Sequence, residues 1–170
     1  MDSAPKYLDI LEILARHQVE YVLVGGVAAI LEGAPVSTFD LDIVPAPSSE
    51  NRERLLAALR DLDARYLDPA GRHLLPDETK LATLRQHQLI TKAGPFDVLN
   101  TIGRGMGFEH LADRTHERQV SGLRVRCLDL EAIIESKEQA NRDKDRAALP
   151  ILRRTLELKR EASKSGTEDA

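Results

Sequence analysis

The sequence predicts an α/β (α+β) fold: a mixed central β-sheet flanked by helices, followed by a helical C-terminal part. Three observations predict it. Short apolar runs suited to buried strands, YVLV at 21–24 and FDLDIV at 39–44, alternate with stretches whose apolar residues recur at helical spacing. A hairpin pattern surrounds Ala93-Gly94. From Asp129 to about residue 160 the pattern is helical. Helices interleaved with strands and then gathered at one end imply a sheet with helices packed on it. We expect residues 1–160 to form one domain, its helical part spanning about 129–160, and 161–170 to be a frayed tail.

Each element has a local reason. Residues 4–17 read as a helix, capped by Ser3, opened by Pro5, with Leu8, Leu11, Leu14 and Ala15 as its apolar stripe. Tyr21–Val24 is a short strand broken by Gly25-Gly26, and a helix begins over Val27–Leu31 and ends at Gly33-Ala34-Pro35. Phe39–Val44 is the next strand, closed by Pro45 and Pro47; Ser48 or Ser49 caps a helix running to about Asp63. Pro69, Gly71 and Pro76 make 66–77 a loop of the length used for lids and substrate contacts. Gln88–Lys92 and Pro95–Thr101 form the hairpin. GRGMG at 103–107 lacks a GxGxxG pattern and reads as a turn or hinge before a short helix over Phe108–Arg114. Two strands flank Gly122, Asp129 caps a helix to about Ala140, and a last helix covers Arg142–Arg160, with a kink or break anticipated at Pro150.

The bulk composition narrows the function. A hydrophobic fraction of 42% supports a packed core, and 31% charged residues a solvated surface. The net charge of −4 argues against a dedicated nucleic-acid coat. Cys127 is the single cysteine, so neither an intrachain disulfide nor a cysteine zinc site is available, and core packing is its expected role. The five histidines are scattered without the i, i+4 spacing of a metal pair and read as surface or loop residues. The N-terminus lacks a basic and an apolar signal region, and no apolar run approaches the roughly 20 residues of a membrane helix. We therefore expect a cytoplasmic protein with no membrane contact.

The chemistry concentrates in three places. Asp40 and Asp42 are two apart in a predicted strand, so both carboxylates should project from one face. Two such charges repel, and a divalent cation relieves them; Mg2+ suits a few carboxylates completed by phosphate and water. Gly25-Gly26, where strand gives way to helix, lets a phosphate approach the backbone, and Thr38 offers a hydroxyl. Asp97, a charge within the apolar strand PFDVL, is costly there without a partner or cation. If its strand lies beside the first, three carboxylates converge as a two-metal site requires.

LVGGVAAILEGAPVSTFDLDIV resembles the signature of the polymerase-beta-type nucleotidyltransferases, and GPFDVLN looks like the strand carrying their third aspartate. LRVRCLDLEAIIESKEQANRDKDRAALPIL is similar to the C-terminal part of small bacterial AbiEii-like and MNT-like members. The resemblance spans about Tyr7 to Leu156. It implies a nucleotidyltransferase fold with C-terminal helices and transfer of a nucleoside monophosphate from an NTP, ATP among them, to a hydroxyl. It implies two Mg2+ ions on Asp40, Asp42 and Asp97, the last assisting the attacking oxygen. It implies nucleotide binding by Gly25, Gly26, Thr38, Lys137 and Lys144, with Arg142, Asp145 and Arg104 as weaker candidates and Asp145 orienting Lys144 or capping the site. Acceptors in the resembling group include tRNA, with protein hydroxyls as another option, and some members belong to toxin–antitoxin or phage-defence modules, where an antitoxin or toxin would be a partner. Val36 stands where many relatives carry an arginine, and Gly26 where others carry serine, so nucleotide affinity is where this chain departs. The competing readings are a catalytically silent nucleotide-binding or antitoxin-like module of the same fold, and a nucleic-acid binder without catalysis, which the acidic balance disfavours.

Overall fold

The computed structural model describes residues 6–166. In chain order the elements are α1 (Tyr7–Arg16), β1 (Tyr21–Val24), α2 (Gly25–Leu31), β2 (Leu41–Pro45), α3 (Ser49–Asp61), β3 (Arg65–Tyr66), α4 (Glu78–Thr83), β4 (Gln86–Thr91), β5 (Gly94–Leu99), α5 (Phe108–Leu111), β6 (Thr115–Val120), β7 (Leu123–Leu128), α6 (Leu130–Ala140) and α7 (Asp143–Ser165). The strands form one seven-stranded sheet in the order β3-β4-β5-β2-β1-β7-β6. β2 runs parallel to β5 and β1 parallel to β7, while the other neighbours are antiparallel, so the sheet is mixed as expected.

Local chemistry accounts for most boundaries. α1 buries Ile10, Leu11, Ile13 and Leu14, while Ala15 faces solvent; the expected Ser3 cap and Pro5 lie outside the described residues. Ser48 accepts a hydrogen bond from the Asn51 amide to open α3, and Asp129 accepts one from Ala132 to open α6. α6 ends on Asn141, whose positive φ supplies the left-handed stop. α4 is an element that hydrophobic spacing does not announce: only Leu81 of its six residues is buried, and Asp77 caps it through the Lys80 amide.

The last helix differs from expectation in two respects. It continues through Pro150, which lies on the solvent side where the carbonyl left without a donor can be hydrated. It also extends to Ser165, because no breaker intervenes before Gly166, so residues 161–165 are helix rather than tail. His87 is a further correction. It is fully buried on β4, and its Nδ1 lies 2.8 Å from the Tyr66 hydroxyl.

Glu32, at the end of α2, ties the helical layer to the sheet. Its side chain is fully buried and receives Lys159 Nζ at 2.7 Å from α7, with Arg118 at 3.0 Å and His116 at 3.1 Å from β6. Burial alone would raise its pKa; the hydrogen bonds from Lys159, Arg118 and His116 outweigh that and hold the carboxyl below its ordinary range.

Candidate active site

Parallel pairing of β2 with β5 places Asp42 in register with Asp97. Asp40 reaches the same place by another route than expected. β2 begins only at Leu41, and Phe39 and Asp40 form a bend ahead of it, with Phe39 78% exposed. The bend is held by hydrogen bonds instead of strand pairing. Thr38 Oγ1 donates to Asp40 Oδ1 at 3.0 Å, and the Tyr7 hydroxyl donates to the Thr38 carbonyl at 2.7 Å. One oxygen from each of Asp40, Asp42 and Asp97 lies within 4.8 Å of the others. Tyr7 is a contributor that sequence reading missed, since a tyrosine at the start of an amphipathic helix looks like any core-facing aromatic.

Two of the three carboxylates, Asp42 and Asp97, are held above their ordinary range. Asp42 is pushed up to about 7, first by burial, then by the charges of Asp40 and Asp97, with Lys144 and Lys137 pulling the other way. Asp97 is pushed up to about 6 by burial and by Asp40, against Lys144. Burial and then Asp40 and Asp42 also raise the Tyr7 phenol. Oxygen donors this close, repelling one another and half-buried, fit a hard divalent cation such as Mg2+.

The glycine pair is shaped around these groups. Both residues belong to the first turn of α2, which therefore starts two residues earlier than expected. Gly25 has φ +68°, and a Cβ there would sit 2.9 Å from Asp42 Cγ and closer still to its carboxylate oxygen. A Cβ on Gly26 would lie 2.6 Å from Thr38 Cβ. Glycine is required for contact as well as for conformation.

The basic residues divide into two groups. Lys137 and Arg142 both turn to the buried Asp145, at 3.6 Å and 2.7 Å. Asp145 also accepts from the Arg142 backbone amide, a capping contact at the start of α7. The expected pairing of Asp145 with Lys144 is therefore not what the structure holds: Asp145 fixes the junction of α6 and α7, and Lys144 stands exposed, its charge directed at Asp42 and Asp97. Arg104 is exposed in the GRGMG turn. That turn is closed by the Ile102–Met106 bridge and pinned by Arg85 on the Gly103 carbonyl and by Gln139 on the Arg104 amide.

A mixed sheet that brings three carboxylates against a glycine turn and a flanking cation is the architecture of an enzyme that transfers nucleotidyl groups. The family profile for aminoglycoside-2''-adenylyltransferases matches residues 6–151, and the chain belongs to that family. Among solved structures it is similar to the lincosamide antibiotic adenylyltransferase LnuA in its lincomycin-bound form, with TM-score 0.60 and 16% identity over 87% of this chain and 94% of that one. It is also similar to ANT(2'')-Ia in complex with adenylyl-2''-tobramycin, with TM-score 0.57 and 16% identity over 95% and 96%. Identity this low speaks for the fold alone. No curated protein matches the chain significantly in sequence. The membership is in a nucleotidyltransferase superfamily, as the signature implies; the AbiEii-like and MNT-like subtype gains no support from these relatives. Among the described residues no helix is long and apolar enough to cross a membrane.

Proposed function

We propose that the protein transfers the adenylyl group of ATP to a hydroxyl of a small-molecule acceptor, with Asp40, Asp42 and Asp97 as the catalytic carboxylates. The convergence of these three oxygens within 4.8 Å beside a glycine turn carries the reading. When bound, Mg2+ ions would neutralise the triphosphate and lower the acidity barrier of the attacking hydroxyl. Asp40 and Asp42 would hold them. Asp97, in register with Asp42 on the neighbouring strand, would accept the proton of the acceptor hydroxyl. The acceptor oxygen then bonds to the α phosphorus, the bond from that phosphorus to the β-phosphate bridging oxygen breaks, and pyrophosphate leaves. Gly25 and Gly26 admit the phosphates to the backbone beside Thr38, and Lys144 supplies a positive charge unclaimed by Asp145; Lys137 adds a second, shared with that carboxylate.

Antibiotic-type acceptors, as named for the family and the solved relatives, support a small molecule over the tRNA or protein hydroxyl expected from sequence, and no antitoxin or toxin partner finds support there. Use of ATP as the proposed donor supports the cytoplasmic location expected from sequence. The test is incubation of the full chain with α-labelled ATP, Mg2+, an aminoglycoside, a lincosamide and total RNA. Label should move to a small molecule with release of pyrophosphate, and Asp42→Ala should abolish the transfer. Nucleotide binding with no transfer to any acceptor would instead identify a silent binding module, and label on RNA would restore the tRNA reading.

A further inference from the structure

Asp40 is the member of the triad with no strand partner. The β1–β2 ladder ends at Val24 opposite Asp42, and the β2–β5 ladder begins at Leu41 opposite Phe96, so Asp40 lies one residue beyond the sheet. Asp42 and Asp97 are aimed by the pleat of their strands, whereas Asp40 is aimed by side chains. Thr38 Oγ1 shares its proton between Asp40 Oδ1 at 3.0 Å and the Asp40 carbonyl at 3.3 Å. This holds one carboxylate oxygen against rotation and leaves the other without a hydrogen-bond partner among the described residues.

Thr38 is itself held from two sides. Its side chain packs against the first turn of α2, where a Cβ on Gly26 would come within 2.6 Å of Thr38 Cβ. Its carbonyl accepts a hydrogen bond from the Tyr7 hydroxyl at 2.7 Å, a contact that no local sequence pattern brings about. Tyr7 stands on a firm base. It is the first residue of α1, whose Ile10, Leu11 and Leu14 are buried in the core, and the Lys6 amide just before it bonds the Ala93 carbonyl at 3.0 Å. Ala93 lies in the turn of the β4–β5 hairpin, whose second strand carries Asp97. Burial, and then the charges of Asp40 and Asp42, raise the phenol above its ordinary range, so it stays protonated and donates at neutral pH.

We propose that Tyr7 is a positioning residue of the active site: through Thr38 it fixes the Asp40 carboxylate beside Asp42 and Asp97 before an ion or a substrate arrives. Without these bonds the bend would have to be ordered as the metal binds, and that entropy would weaken binding. Groups that orient a metal's ligands from behind are worth roughly 10–100-fold in metal affinity or activity. The phenol acts on Asp40 through one backbone carbonyl and one hydroxyl. The effect on turnover rests on the proposed transfer reaction; the effect on metal binding rests on the carboxylate cluster alone.

The test titrates Mn2+ calorimetrically into the full chain without nucleotide at neutral pH, and measures kcat separately with labelled ATP. Tyr7→Phe keeps the ring and removes only the hydroxyl, and it should lower both Mn2+ affinity and kcat about tenfold. Thr38→Val should lower Mn2+ affinity at least as much, while Thr38→Ser, which keeps the hydroxyl, should stay within about twofold of the parent. The Tyr7→Phe/Thr38→Val pair should bind Mn2+ no more weakly than Thr38→Val alone, because both losses release the same carboxylate. Melts in EDTA should show each single variant folded and within about 4 °C of the parent, the loss of one hydrogen bond. Mn2+ affinity unchanged in Tyr7→Phe, losses that multiply in the pair, or a parent that binds no Mn2+ would overturn the proposal. A parent that binds Mn2+, loses affinity in Tyr7→Phe and yet transfers no label would refute the transfer reaction and uphold the role of Tyr7.

Discussion

Asp42→Asn separates what the fold wants from what the proposed chemistry needs. Asp42 has its pKa pushed up from 3.8 to about 7. The folded-state value lies above the unfolded one, so the folded protein holds a proton that the unfolded chain gives up between about pH 4 and 7. The stability tied to that proton is complete below pH 4 and is lost as pH rises through 7. Three units at ~1.36 kcal/mol each set a ceiling of about 4 kcal/mol on the cost of ionising Asp42 at pH 8. Asparagine keeps the shape, carries no charge, and relieves Asp97 of a repelling neighbour.

In EDTA at pH 8 the Asp42→Asn protein should therefore be more stable than the parent by roughly 2–4 kcal/mol. For a chain of this size that is a rise in Tm of roughly 5–10 °C. At pH 5, about one unit above the unfolded-state value of 3.8, the gap should narrow to about 1–2 kcal/mol. Added Mg2+ should raise the Tm of the parent at pH 8 and leave the variant unmoved, and nucleotidyl transfer should fall by at least about 10^3. Scanning calorimetry across pH 5–8, with and without metal, reads all of this. A variant no more stable than the parent at pH 8 in EDTA would refute the claim that the triad is an uncompensated cluster of charge.

Gly25→Ala should cut transfer at least about a hundredfold and cost roughly 1–3 kcal/mol, because φ +68° and the Asp42 carboxylate both exclude a methyl group; activity assays and thermal melts on the purified variant check it. Lys144→Ala should raise KM for ATP about tenfold with an unchanged Tm, since the side chain is exposed and no Asp145 contact is lost. Glu32→Gln should destabilise the fold by about 3–5 kcal/mol in urea at pH 7, leaving the Lys159 and Arg118 cations and the His116 ring around an uncharged amide. The Glu32 carboxyl sits below its ordinary pKa, so its contribution is present at neutral pH and is lost as the medium is acidified below about pH 4, where parent and variant should converge.

The legible part of the molecule was what sequence encodes locally. Ser48 and Asp129 announce their helices because a cap is a contact three residues long. The three aspartates and the glycine pair stood out because charge and glycine inside apolar strands conflict with strand formation. Partners far apart in sequence were not legible. Asp145 lies beside Lys144, yet it bonds Arg142 and reaches Lys137 on the preceding helix, because the turn at Asn141 folds α6 back onto α7. Asp40 reads as strand by alternation, yet the threonine and tyrosine hydroxyls hold it in a bend. His87 looks like a surface histidine until Tyr66 is placed across from its strand. α4 has no apolar period to find.

Glu32 and Asp42 show why this matters for function. Each is a carboxylate flanked by small and apolar residues near one end of α2, and nothing in the surrounding letters ranks one above the other. The fold surrounds Glu32 with Lys159, Arg118 and His116, and its pKa drops. The same fold gives Asp42 two more carboxylates and a glycine that clears space in front of it, and its pKa rises to about 7. A buried charge with three partners is explained by architecture. A half-buried charge whose nearest neighbours repel it is only partly offset by Lys144 and Lys137, which leaves the site suited to a further positive charge. That contrast, and not the aspartate pattern alone, is the reason to assign chemistry to Asp42 and structure to Glu32.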